Sequence, residues 1–159
     1  MGFGKSKRQN LFFIEREEEL EKAVKQFFFL HYPTTRKVDD RTVTRTNADD
    51  RDELIEQIGK ECFEESKEFD YLRDPNIPFC FMFVFTAFLE IYNCSGEAIT
   101  WTDIYSYGII RHIQFRQREI DYILKCNNWA NEQMKKMRDE AEEDERISKE
   151  TDEGQTSQN

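Results

Sequence analysis

The chain has 159 residues, of which 35% are charged and 14% aromatic, and its net charge at pH 7 is −10. This length suits one domain with a real core, while the acidic balance argues against nucleic-acid binding, which needs a basic face. The longest apolar run, 77–89, is too short to span a bilayer, and no secretory signal is visible. We therefore expect no membrane partner and a cytoplasmic protein, in the host cytoplasm if the source is viral.

The N-terminal region divides into a basic, flexible segment at 1–9 and a helix over about 10–30. The first residues fit the N-myristoylation pattern at Gly2, so a peripheral membrane adaptor is an alternative if the source is eukaryotic. The apolar residues of this segment recur at helical spacing. The helix is predicted to end before Pro33, because the residue before a proline is disfavoured in the helical conformation.

The middle of the chain contains two ambiguous segments. Residues 34–47 alternate charged residues with threonine and valine, and their low apolar content favours a loop over a short β hairpin. A helix follows over about 50–69. Residues 79–85 carry phenylalanine at every second position among other apolar residues, so they read as strand or helix. Continuation of the apolar run to Tyr92 favours one buried helix.

A capped helix start follows at Thr100. Asp103 lies three residues later, which is the spacing of a capping box, and Ile99 and Ile104 are placed for a hydrophobic staple. We expect Trp101, Ile104, Tyr105 and Ile109 to face inward.

A second, longer helix over about 115–137 completes a C-terminal helical hairpin. Its apolar stripe consists of Ile120, Ile123, Leu124, Asn127, Ala130, Met134 and Met137. After Met137 the stripe gives way to acids, so residues 138–159 are predicted to be an acidic helical extension that frays into a disordered tail. The predicted fold is all-α: a single helical domain over 10–137 with about five helices, in which 34–48 is a loop or hairpin excursion.

No arrangement of residues indicates catalysis, so we expect no enzyme, no cofactor and no metal. Asp103 is explained by capping, and His112 lies at the end of a helix, where a cation favours the helix dipole. The four cysteines have no CxxC spacing, and three lie among apolar neighbours. This pattern predicts buried free thiols.

The apolar face of the two-helix segment is the candidate protein-binding surface, since methionine-rich and aromatic faces adapt to partners. The candidate residues are Trp101, Ile104, Tyr107, Ile120, Ile123, Trp129, Met134 and Met137, with Thr100 and Asp103 as the helix cap.

The order of elements over about 79–137 resembles the helical tail assembly chaperones of long-tailed bacteriophages. The resemblance consists of an aromatic-rich helix, the Ile-Thr-Trp-x-Asp-Ile-x-x-Tyr start at Ile99–Tyr107, and the Glu-Ile-x-x-Ile-Leu helix in Glu119–Trp129. It implies a non-enzymatic protein that binds the apolar helices of a tape measure protein and recruits tail tube subunits. The alternatives are a helical adaptor or a helix-turn-helix regulator, and a homo-oligomer is compatible with each.

Overall fold

The computed structural model describes residues 4–38 and 41–156. This part of the chain contains six α-helices, one two-stranded antiparallel sheet, and 3-10 helices at Lys67–Leu72 and Phe79–Phe81. The α-helices are α1 (Gly4–His31), α2 (Asn47–Ile58), α3 (Lys60–Glu65), α4 (Met82–Ser95), α5 (Trp101–Arg111) and α6 (Gln117–Thr156). The strands are β1 (Thr34–Val38) and β2 (Arg41–Arg45). The predicted all-α fold is therefore confirmed, and the short sheet is the alternative left open for residues 34–48.

The chain groups into two compact units, where the sequence predicts one domain over 10–137. The first unit takes its described residues from Met1–Phe27 and Pro75–Asn131, and the second takes them from Phe28–Asp74 and Glu132–Asn159. Each unit contains buried apolar residues.

The first unit has an aromatic core. Phe88 and Ile123 are fully buried, and the rings of Phe81 and Tyr122 meet edge to face with centroids 4.7 Å apart. The predicted helix over 79–92 is present, although it begins with the 3-10 turn before α4. On α6 the predicted stripe is largely buried, and Cys126 is buried beside it. Asn127 is also buried, and no described residue is hydrogen-bonded to its Oδ1 atom.

The second unit has a smaller core. Leu30, Phe63 and Leu72 are its buried members, and the rings of Phe63 and Phe69 stack with centroids 5.6 Å apart. The side chain of Asn47 donates to the backbone carbonyl of Phe29 at 2.7 Å, so this buried amide is paired. Leu54, Ile55 and Ile58 of α2 and Phe69 are partly buried and pack against this core.

That helix is interrupted, which the sequence analysis did not predict. Gly59 has φ 86°, a left-handed conformation that ends α2, and α3 begins at the next residue. The start of α2 was also predicted slightly late. Thr46 caps it through a reciprocal capping box with Asp49.

Residues 34–38 and 41–45 form two paired antiparallel strands, so the preference for a loop was wrong. The strands pair from Thr34 opposite Arg45 to Val38 opposite Arg41. Low apolar content did not prevent strand formation, because threonine and valine are β-branched and suit a pleated surface. Arg45 also forms ion pairs with Asp50 and Glu53 of α2, at 3.4 and 2.7 Å.

Both ends of the chain are more helical than predicted. α1 begins at Gly4, within the segment predicted to be flexible, and residues 1–3, including the acylation pattern at Gly2, lie outside the described residues. α6 continues to Thr156 where a fraying tail was predicted, and 157–159 lie outside the described residues. Ion pairs spaced by one helical turn account for this extension, since such pairs stabilise helices. Examples are Arg146 with Glu143 at 2.6 Å and Lys149 with Glu145 at 3.1 Å.

No helix within residues 4–38 and 41–156 combines the length and the apolar character that crossing a membrane requires.

Candidate functional site

The start of α5 is fixed by a capping box, as the sequence predicts. The backbone N–H and the hydroxyl of Thr100 both donate to the Asp103 carboxylate, at 2.7 and 2.6 Å, while the Asp103 N–H donates back to the Thr100 hydroxyl at 3.3 Å. The hydroxyl and the backbone N–H of Thr100 lower the pKa of Asp103. Ile99 and Ile104 on either side of the cap are both buried, in agreement with a hydrophobic staple.

The end of α5 is a Schellman motif. The Ile113 N–H donates to the Gly108 carbonyl at 2.8 Å, and the His112 N–H donates to the Ile109 carbonyl at 3.2 Å. His112 adopts the left-handed conformation at φ 55°, which glycine usually occupies at this position. The sequence analysis did not predict this ending.

Gly108 is required by the close approach of the following turn. A Cβ atom at this position would lie 2.8 Å from the Ile113 carbonyl oxygen and within 3.7 Å of two ring atoms of Phe115. The chain can therefore fold back against α5 only because residue 108 has no side chain.

Glu90 of α4 accepts hydrogen bonds from two side chains of α5. Its Oε2 atom accepts from the Tyr107 hydroxyl at 2.8 Å and from the Arg111 guanidinium at 2.7 Å. These contacts lower the pKa of Glu90, with the Tyr107 hydrogen bond as the largest cause. Burial and the bond to Glu90 raise the pKa of Tyr107. The network fixes which side of α5 faces α4.

The opposite side of α5 opens into an apolar groove of about 620 Å³, which we call the α5 groove. It is lined by Trp101, Ile104, Tyr105, Gly108, Ile109, His112, Ile113, Gln114, Phe115 and Ile120. Trp101, Tyr105 and Ile109 are 53%, 71% and 58% exposed and recur at intervals of four residues, so they form one stripe along the helix. A continuous exposed apolar surface of this kind is typical of an interaction site.

The apolar surface continues from the groove to the start of α4. The ring of Phe115 lies 5.8 Å from that of Phe83 and stacks on Tyr107 at 6.0 Å. Phe83 and its neighbour Met82 are both nearly half exposed. The groove is therefore one end of a larger apolar face of the first unit.

The structure brings together only part of the predicted protein-binding set. Trp101, Ile104 and Ile120 line the α5 groove, with Ile104 at its floor, whereas Tyr107 binds Glu90 instead. Trp129 is partly buried and lies outside the groove.

Three members of the predicted set belong to cores. Ile123, Met134 and Met137 are buried; Ile123 belongs to the first unit and the two methionines belong to the second. The two methionines are therefore no adaptable surface, and their side chains fill apolar space.

The prediction that the stripe of Trp101, Tyr105 and Ile109 faces the core is wrong. Tyr105 and Ile109 were expected to face inward together with Trp101, and all three are exposed. The spacing of four residues between these three side chains was the sequence signal that they share one face of the helix. Ile113 and Phe115 were missed because they lie in the connection between helices, where no periodicity marks them.

The described residues also include side chains of metal-binding types and accessible thiols. No group of three or more histidine, cysteine or acidic side chains within residues 4–38 and 41–156 could hold a metal ion. The prediction of buried thiols holds only for Cys126, since Cys62, Cys80 and Cys94 are exposed. Burial raises the pKa of Cys126 to about 12.

No protein-family model, curated protein sequence or solved structure matches this chain.

Proposed function

We propose that this protein is a non-enzymatic assembly factor that binds an apolar helical segment of another protein in the α5 groove. The observation that supports this proposal is the exposed stripe of Trp101, Tyr105 and Ile109 along the apolar α5 groove. A helix that lays its apolar face into such a groove is a recurrent mode of recognition.

The specific form that we propose is a phage tail assembly chaperone acting in the host cytoplasm. Its partners would be the tape measure protein, whose apolar helices it would keep in solution, and the tail tube subunits. The resemblance over Ile99–Tyr107 and Glu119–Trp129 supports this form. The acidic second half of α6 also suits it, because like charge keeps a complex of apolar helices from associating.

The regulator alternative has no comparable support. A helix-turn-helix needs a basic recognition surface, and Arg111, one of the basic residues near the second helix, is already bonded to Glu90.

The test is co-expression with the tape measure protein encoded in the same genome, followed by measurement of that protein's soluble fraction and of co-purification. Ile109→Asp places a charge in the groove, and Ile110→Asp is the matched control, because Ile110 is 75% exposed on the same helix but does not line the groove. We expect the wild type and the control to solubilise and retain the partner, and Ile109→Asp to lose both effects. If the partner stays insoluble with the wild type, or if both variants behave alike, the proposal is wrong.

A further inference from the structure

We infer that the α5 groove selects a partner helix whose apolar stripe ends in carboxylates, and that Arg116 is the residue that recognises them. This inference rests on the proposed function and adds the charge pattern of the partner.

The charged groups at the two ends of the groove differ in their availability. At the start of α5, the Asp103 carboxylate is occupied by Thr100. Arg111 at the far end is occupied by Glu90. Each of these charges is thus already used inside the first unit.

Arg116 is different. It directly follows the groove residue Phe115, and it is exposed. Its backbone N–H donates to the Glu119 carboxylate at 2.7 Å, but no carboxylate in the described part of the chain forms an ion pair with its guanidinium. A guanidinium offers five donors in a planar fork that matches a carboxylate. An exposed cation therefore lies one residue beyond the groove lining, at the connection end, where a partner can reach it.

The length of the groove sets the size of the complementary segment. Trp101 and Ile109 are eight positions apart on one helix, which corresponds to about 12 Å along its axis. A partner helix would cover this distance with about two turns, using apolar residues spaced by three and four positions. Its acidic residues would then follow in the next turn, at the end that meets Arg116.

The overall charge restricts the partner further. The chain carries a net charge of −10, which opposes the approach of another strongly acidic surface, including a second copy of itself. Physiological salt screens such repulsion beyond about 8 Å. An apolar helix that carries carboxylates at just one end can pair with Arg116 and still avoid repulsion by the net negative charge.

The probes for the test are two synthetic amphipathic peptides of about four helical turns. They share one leucine stripe, and the stripe ends in glutamates in one peptide and in glutamines in the other. Binding to the full chain is measured by titration calorimetry. We expect the glutamate peptide to bind about two- to fivefold more tightly, the range of an exposed ion pair, and high salt to remove the difference.

Matched variants distinguish recognition of carboxylates by Arg116 from apolar binding in the α5 groove. Arg116→Gln should abolish the preference for glutamate. Lys135→Gln should preserve it, because it removes an exposed cation that lies 15 positions beyond the groove residue Ile120 on α6, whereas Arg116 directly follows the groove residue Phe115. Ile109→Ala should weaken both peptides about fivefold or more, and Ile110→Ala should leave them unchanged.

The failures are distinguishable. If both peptides bind equally and Arg116→Gln changes nothing, the charge inference is overturned while groove binding stands. If neither peptide binds, or Ile109→Ala and Ile110→Ala act alike, groove binding itself is overturned. Concentration-dependent dimerisation that Ile109→Ala abolishes would identify a second copy as the occupant and would also overturn the inference.

Discussion

Replacing Gly108 with alanine should destabilise the first unit, although alanine is the better helix former. In an exposed helix interior this change would stabilise the protein by about 1 kcal/mol. Here the new Cβ atom would lie 2.8 Å from the Ile113 carbonyl oxygen, which belongs to the backbone and has no side-chain freedom to move away. Overpacking of this kind costs about 1–3 kcal/mol.

The hydrogen bond that closes the turn adds to this cost. The Ile113 N–H donates to the Gly108 carbonyl at 2.8 Å, so a shift that relieves the clash weakens the bond, at a cost of up to about 1 kcal/mol. When the gain in helix propensity is subtracted, these figures leave a net loss of up to about 3 kcal/mol, and we expect the Gly108→Ala variant to be less stable by about 1.5 kcal/mol, the middle of that range. The same shift would move the wall of the α5 groove, because Phe115 contacts this position.

The assay is urea denaturation followed by tryptophan fluorescence, since Trp101 and Trp129 both belong to the first unit. Ser106→Ala is the matched control, because Ser106 is exposed on the same helix and also gains helix propensity, without a clash. We expect the control to equal or exceed the wild type in stability. If Gly108→Ala is as stable as that control, the close approach does not constrain this position and the argument is refuted.

Four further predictions concern the two ends of α5 and the cysteines. His112→Gly should stabilise the first unit by about 0.5–1 kcal/mol in the same urea assay, because glycine adopts φ 55° without strain; a loss of stability would contradict this. Thr100→Ala should cost about 1 kcal/mol. The lowered pKa of Asp103 means that its contribution is complete above the pKa of the unfolded state, about 4, and is lost as the pH falls through the folded value; Asp103→Asn should flatten that part of the stability profile. Under native conditions iodoacetamide should modify the three exposed cysteines and spare Cys126, as mass spectrometry of the intact chain would show; rapid modification of all four would contradict its burial.

Helix starts could be predicted from the sequence where they depend on contacts between residues a few positions apart. The Thr100–Asp103 capping box depends on side chains three positions apart, and the structure contains it as predicted. The same rule could have placed the start of α2, since Thr46 and Asp49 have the same spacing. Gly59 shows the limit of such rules, because glycine at a helix interior and glycine at a helix break have the same sequence appearance.

The orientation of α5 could not be predicted by periodicity. Apolar residues occur on nearly all sides of this short helix, from Trp101 to Ile110, so several faces are equally suited to a core. Packing partners decide the question. Glu90 binds Tyr107 and Arg111, which turns that side towards α4 and leaves the stripe of Trp101, Tyr105 and Ile109 outside. Such a contact joins residues 17 and 21 positions apart, beyond the range of any local pattern.

The contacts that hold α5 in place do not involve the side chains of its exposed stripe. The capping box fixes its start, Glu90 holds its middle, and the turn against Gly108 fixes its end. The side chains of the exposed stripe take part in none of these contacts, so substitutions there should leave the fold intact while they change what the groove can bind. A rigid helix with a free apolar stripe also loses little conformational entropy on association, which favours affinity. This separation is what makes the Ile109 and Ile110 pair a test of binding instead of a test of stability.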